Sequence, residues 1–138
     1  MKAPLDGAVT RDAVLAATDY VAPSIDILDT RIQRVDAANA GIVLGARRPP
    51  PEAVDLRWVG AIVKRDDAVV ATGLGAAVFD DPVTGLVWLT RRMAQYGQRI
   101  EAGPIILSGS FIGPVECLAG TRVHADFGSL GAVSVDFD

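Results

Sequence analysis

Two period-two stretches close the sequence and set its fold class. Val123, Ala125 and Phe127 alternate with Arg122, His124 and Asp126; Val133, Val135 and Phe137 alternate with Ser134, Asp136 and Asp138; Gly128 to Gly131 form the turn between them. Side chains on a strand point alternately to its two faces, so each stretch is a strand with one apolar face. A second pair lies earlier. From Asp55 onward, Leu56, Trp58 and Ile62 fall on one face and Val59, Ala61 and Val63 on the other, the pattern of a strand covered on both sides. Lys64 to Asp67 form a polar turn, and Ala68 to Thr72 return as the second arm of a hairpin. The 138 residues suit one domain. With 50 % of them hydrophobic and 22 % charged, a core forms and wholesale disorder is excluded.

Between the strands the local signals predict two helices. Thr10 caps a run from Arg11 to Tyr20 with Val14, Leu15 and Ala17 on its apolar face, and Pro23 stops it. Asp81 is the N-cap of a longer helix with Pro82 at its first position and Val83, Leu86, Leu89/Thr90, Met93 and Tyr96 along one face. Arg91 and Arg92 complement its C-terminal dipole, and Gly97 closes it. Ser24 to Asp29 is a short buried strand carrying two carboxylates, and Ile105-Ile106-Leu107 is another, ending at Ser108-Gly109-Ser110. Arg31 to Ala40 fits strand or helix. Ile42-Val43-Leu44 is an apolar piece between Gly41 and Gly45, and Arg47-Arg48-Pro49-Pro50-Pro51 is a surface turn or polyproline II connector. Gly73-Leu74-Gly75 lacks the third glycine of a dinucleotide loop, so tight backbone packing accounts for it better than phosphate binding. The whole is α+β and β-rich, with the longer helix joining two groups of strands.

Composition and residue inventory remove several function classes. A formal net charge of −4 gives no electrostatic footprint for nucleic acid. One cysteine excludes an internal disulfide and points to a reducing compartment. Pro4, Asp6 and Gly7 interrupt any signal-peptide core, and no stretch approaches the ~20 apolar residues of a membrane helix, so the expected setting is soluble and cytoplasmic. Mean hydropathy of +0.31 with 6 % aromatics reflects Ala, Val, Leu and Ile. That surplus fits either ordinary Ala-rich composition or a buried sheet or subunit interface. One histidine and one cysteine cannot make a His/Cys zinc site, Cys117 and His124 have no spacing logic as a nucleophile pair, and Ser108 and Ser110 are not in a Gly-x-Ser-x-Gly elbow. Cys117 reads as a small buried hydrophobe, His124 as a residue on the polar face of its strand. The carboxylates carry more. Asp29 has an ionic partner in Arg31, whereas Asp26 sits among Ile25, Ile27 and Leu28 as either a turn or cap residue or a ligand for a hard cation such as Mg²⁺.

The order of these landmarks resembles one family. Val21-Ala22-Pro23-Ser24-Ile25-Asp26-Ile27-Leu28-Asp29-Thr30-Arg31-Ile32, then Thr72 to Val78, Val87-Trp88-Leu89, Ile106 to Phe111 and Ala125 to Val135 follow the motifs of the 2-keto-4-pentenoate hydratase/4-oxalocrotonate decarboxylase family, within the fumarylacetoacetate hydrolase superfamily. The match runs over nearly the whole chain. Ser108-Gly109-Ser110-Phe111 with Pro114-Val115 is more similar to the hydratases of longer 2-oxo-enedioates.

The resemblance implies a fumarylacetoacetase C-terminal-like mixed β-sheet roll with one long and one short helix, spanning residues 1–138 as a single domain shortened at its N-terminus. It implies a hydro-lyase of aromatic meta-cleavage catabolism in which Mg²⁺ or Mn²⁺ stabilises the enolate of a 2-oxo acid. Asp26 stands where the family has a glutamate metal ligand, while the Glu-x-Glu pair and the family's N-terminal lysine have no counterpart in this sequence. Ser108, Gly109 and Ser110 would line the substrate's carboxylate end; no catalytic residue is assigned. Other departures are Asp66-Asp67 for Asn-Gly, Asp80-Asp81-Pro82 for Gly-Asn-Pro and Gly120-Thr121 for Gly-Asp. The alternatives are a non-catalytic remnant or assembly subunit of the same fold, or a decarboxylase or C–C hydrolase of the superfamily. The expected partners are a small 2-oxo acid and further copies of the chain, or a second chain covering its apolar surface, with neither nucleic acid nor membrane.

Overall fold

The computed structural model describes residues 1–29 and 39–138. In chain order the elements are α1 (Arg11–Ala17), β1 (Ser24–Leu28), β2 (Asn39–Leu44), β3 (Gly60–Arg65), β4 (Ala68–Leu74), α2 (Pro82–Ala94), β5 (Thr121–Asp126) and β6 (Ala132–Phe137). Four strands form a sheet in the order β4-β3-β5-β6, and β1 pairs with β2 in a second, two-stranded sheet. Every ladder among the described residues is antiparallel.

The alternating pattern fixes the register of the large sheet. Val63 lies opposite Ala125, Ala125 opposite Val133 and Val123 opposite Val135, which brings the apolar positions of three strands onto one buried face. The same register turns His124 and Ser134 to the other face, where Nδ1 of His124 and the Ser134 hydroxyl are 2.8 Å apart. The β3–β4 turn uses Asp66 at φ 55°, a left-handed conformation that Asp tolerates better than most residues. A second cluster, Leu5, Val14, Ala17, Val83, Leu86 and Ile100, packs α1 against α2.

Helix ends follow local chemistry. The Thr10 hydroxyl accepts from Ala13 N–H at 3.2 Å, and Asp81 accepts from Val83 N–H at 2.9 Å. At the other end of α2, Gln98 N–H reaches Met93 O and Gly97 N–H reaches Ala94 O, with Gly97 at φ 67°: a Schellman close. Gly73 and Gly75 serve backbone packing, as expected. A Cβ on Gly73 would meet the Phe111 carbonyl, and one on Gly75 the Leu56 carbonyl.

Five expectations change. Helix α1 ends at Ala17, ahead of Tyr20, because the Thr18 hydroxyl donates to Val14 O at 2.8 Å and Thr18 itself is extended. Strand β1 is not buried: it is half of a two-stranded sheet, with Asp26 and Leu28 exposed. The face expected to be covered by Leu56, Trp58 and Ile62 is open, with Trp58 66 % and Ile62 47 % exposed, and Trp58 precedes the strand. Ile105-Ile106-Leu107 forms no strand, since no ladder partner lies beside it among the described residues. Tyr96 falls beyond the end of α2 and is exposed, with Arg92 5.1 Å from its ring centre. Most of the stretch read as strand or helix, together with Arg31 as the partner of Asp29, lies outside the described residues.

Candidate active site

A cavity of about 900 Å³ opens between the inner face of the large sheet, strand β1, the start of α2 and the segment 104–117. Apolar side chains from all four make most of its wall, among them Ile25, Val63, Leu86, Ile106 and Phe111. Asp26 and Ser108, Gly109 and Ser110, singled out at opposite ends of the sequence, line this one cavity; Asp29 is not among its wall residues.

The segment carrying the serines is held without secondary structure. The Ser110 hydroxyl donates to Ile112 O at 2.9 Å and accepts from Ile112 N–H at 3.3 Å, closing a tight local turn. Gly109 sits at φ 117°, and a Cβ there would lie 2.8 Å from Cγ1 of Val78. Gly85 of α2 makes room for the same segment, with Ser108 O 3.4 Å from the place a Cβ would take. Glycine on both sides therefore lets residues 108–110 press against the helix.

The charged wall side chains among the described residues are Asp26 and Glu116, both acidic. Asp26 is exposed on β1, opposite Ile42. Cys117 also lines the cavity, its Sγ 3.4 Å from Val115 O, and burial pushes its thiol up, outweighing the opposing pull of Arg65. It is a neutral, packed side chain and a poor nucleophile. His124 belongs to the opposite face of the sheet and is absent from the wall. Glu116, Cys117 and Tyr20 escaped notice as wall residues because residues 104–117 carry no periodic pattern and Tyr20 follows the helix end. An apolar chamber with a polar serine turn suits a small molecule with a hydrocarbon body and a polar end.

No family model matches the chain. It is 38 % identical over 140 residues to the 2-oxo-hept-4-ene-1,7-dioate hydratase of Escherichia coli, covering 90 % of this chain and 52 % of that enzyme. It is 34 % identical to the 2-keto-4-pentenoate hydratase of Paraburkholderia xenovorans (strain LB400), covering 94 % and 52 %. Its structure matches that of the 4-oxalocrotonate decarboxylase from Pseudomonas putida G7, complexed with magnesium and adipate, with a TM-score of 0.93 at 31 % identity, over 99 % of this chain and 56 % of that one. Fold and cavity thus define a relative of the enzymes that act on 2-oxo acids. More particularly, the chain is homologous to the 2-keto-4-pentenoate hydratases and 4-oxalocrotonate decarboxylases. It spans about half the length of the curated relatives it matches. The α+β fold expected from the sequence, with one long and one short helix, is the fold of that decarboxylase.

The magnesium of that relative tests the residues present here. Asp26 offers one hard oxygen donor, and among the described residues no group of three His, Cys, Asp or Glu side chains is placed to hold a metal ion. This donor set does not complete a divalent-cation site.

Proposed function

We propose that this chain forms the substrate cavity of a hydro-lyase acting on a 2-oxo-alkenoate or 2-oxo-enedioate, a reaction of aromatic meta-cleavage catabolism in the cytoplasm. The convergence of Asp26 with Ser108, Gly109 and Ser110 on one apolar cavity supports this reading, as does the 38 % identity to a hydratase. In it the Ser108 hydroxyl and the backbone N–H groups of residues 108–110 bind and orient the substrate's carboxylate through charge-assisted hydrogen bonds, while the Ser110 hydroxyl, engaged with Ile112, holds the turn in shape. The apolar wall takes the hydrocarbon part and excludes bulk water, which strengthens every polar contact inside. Asp26 supplies one oxygen ligand to Mg²⁺ or Mn²⁺, and the other ligands come from outside the described residues.

Titration calorimetry with Mg²⁺ or Mn²⁺ and oxalate, a mimic of a 2-oxo acid enolate, is expected to show metal-dependent oxalate binding that Asp26→Ala abolishes. Binding that survives Asp26→Ala removes the ligand assignment. Absence of metal-dependent oxalate binding overturns the reading of this cavity as a metal-assisted 2-oxo acid site.

A second reading has its own support. Trp58, Phe79 and Trp88 are all largely exposed, and aromatic side chains of this size are enriched at subunit contacts. The chain is then a subunit of a homo-oligomer, and in the extreme a non-catalytic assembly subunit of the same fold.

A further inference from the structure

Residues 105–112 belong to no helix or strand and make no backbone–backbone hydrogen bond among the described residues. The Ser110–Ile112 pair shapes the serine turn but does not fix it to the rest of the chain. Its position therefore depends on packing, and one buried side chain lies directly behind it. Val78 is 6 % exposed, with Cγ1 2.8 Å and Cγ2 3.5 Å from the place a Cβ on Gly109 would take. Gly109 is a wall residue of the cavity and Val78 is not.

Val78 is held on both sides. Before it, the tight turn Gly75–Ala77 is tied to the approach to β3: Gly75 N–H donates to Val59 O at 2.8 Å, and Val78 N–H closes the turn onto Gly75 O at 2.9 Å. After it, Asp80 N–H donates to Ala76 O at 3.1 Å. Arg57 meets the chain on either side of Val78, because its carbonyl accepts from Ala76 N–H and its guanidinium donates to Asp80. Branching at Cβ limits the rotamers of Val78, so its two methyl groups present a fixed surface. Gly109, at φ 117° and without a side chain, lets the turn's backbone rest on that surface.

We infer that Val78 is a positioning residue for the serine turn. Its branched side chain sets where the Ser108 hydroxyl and the N–H groups of residues 108–110 stand, without touching the ligand itself. This role rests on the cavity being a 2-oxo acid site. Shortening Val78 to alanine removes two methyl groups from beneath a segment that no backbone hydrogen bond anchors, and the segment relaxes into the gap. A shift of about 1 Å takes a hydrogen bond out of its useful range.

The test is calorimetry of oxalate binding to the whole chain with Mg²⁺ present, beside urea melts of the same proteins. Val78→Ala is expected to weaken oxalate binding about tenfold, the worth of one hydrogen bond to a charged group. Val78→Thr keeps the branched shape and is expected to retain wild-type affinity, although its buried hydroxyl lowers the urea midpoint. Val133→Ala, at a buried valine of β6 outside the cavity wall, is expected to lower the midpoint and leave affinity unchanged. Ile112 N–H supplies a ligand-free measure, since it donates to the Ser110 hydroxyl when the turn is closed. Its exchange with deuterium should quicken several-fold in Val78→Ala and not in Val133→Ala. Affinity lost equally in Val78→Thr or Val133→Ala, or unchanged affinity and exchange in Val78→Ala, overturns the positioning role. Wild-type protein that binds no oxalate overturns the 2-oxo acid reading and this role with it, and Ile112 exchange tells that failure from a failure of the Val78 contact.

Discussion

A Cβ on Gly75 has nowhere to go, because the obstacle is the Leu56 carbonyl oxygen, a backbone atom that no rotamer change can move. Accommodating it means shifting the chain around Arg57, whose carbonyl accepts from Ala76 N–H at 2.9 Å. Gly75→Ala is therefore expected to cost about 1–3 kcal/mol, the usual range for overpacking a close contact. Gly113→Ala serves as the control, since a Cβ there meets nothing within 4 Å. Urea melts read the difference as a lower midpoint with unchanged slope for Gly75→Ala; equal midpoints for the two variants remove the packing account. This residue was legible in the sequence through what its motif lacks, a third glycine. Asp26 was less so. An acid in an apolar run fits a turn, a cap or a ligand equally well, and only its place inside the β1–β2 ladder, opposite Ile42, removes the first two.

At the scale of elements, one residue joins the two helices. Asp81 caps α2 through Val83 N–H and accepts from Nε of Arg11 on α1 at 2.6 Å. Burial alone would raise the Asp81 carboxyl, but the hydrogen bonds from Arg11 and Val83 outweigh it and hold the group below its ordinary value, with the Arg11 guanidinium shifted up in turn. A carboxylate lowered in the folded state stabilises fully above the unfolded value, about 3.9, and loses that contribution as pH falls through the lowered folded value. Asp81→Ala is thus expected to cost about 1–2 kcal/mol near neutrality, the worth of an N-cap, and Asp81→Asn less, since the amide oxygen still caps. The gap between wild type and Asp81→Ala should close in strong acid, as urea melts across pH would record; a gap independent of pH refutes the ion-pair argument. The ends of α2 were readable because caps are local: Asp81, Pro82 and Gly97 act within a turn of themselves. Ile105-Ile106-Leu107 was misread because an apolar triplet is the same in sequence whether it pairs with a strand or lines a cavity, and the absent ladder is a non-local fact. The alternation at Trp58 to Val63 failed in a related way. Period two reports that both faces are apolar and says nothing about which is covered.

On the whole-molecule scale the exposed apolar side chains support contacts with a partner. Phe79 is 73 % exposed at φ 52°, a left-handed conformation that costs a bulky side chain about 1–3 kcal/mol. Arg57 holds it there, donating from Nε to Asp80 O at 2.9 Å and from Nη2 to Asp80 Oδ1 at 2.7 Å. An aromatic held outward at such a cost is a candidate contact residue under the homo-oligomer reading. Gly85 lies beside it, 3.9 Å from Cδ2 of Phe79 to the place a Cβ would take, and Trp88 follows one helical turn later, 63 % exposed. Phe79 and Trp88 are two large exposed anchors of the kind found at the desolvated centre of an interface. Self-association is the expected outcome under the homo-oligomer reading. Sedimentation velocity over a wide concentration range should show reversible assembly. Trp88→Ala should weaken it by about 2 kcal/mol or more, roughly thirty-fold in dissociation constant, while the urea midpoint of the monomer stays put, because an exposed side chain contributes little to the isolated fold. Assembly unaffected by both Trp88→Ala and Phe79→Ala would move the contact to another face, and a monomer at every concentration would leave this surface to a different chain.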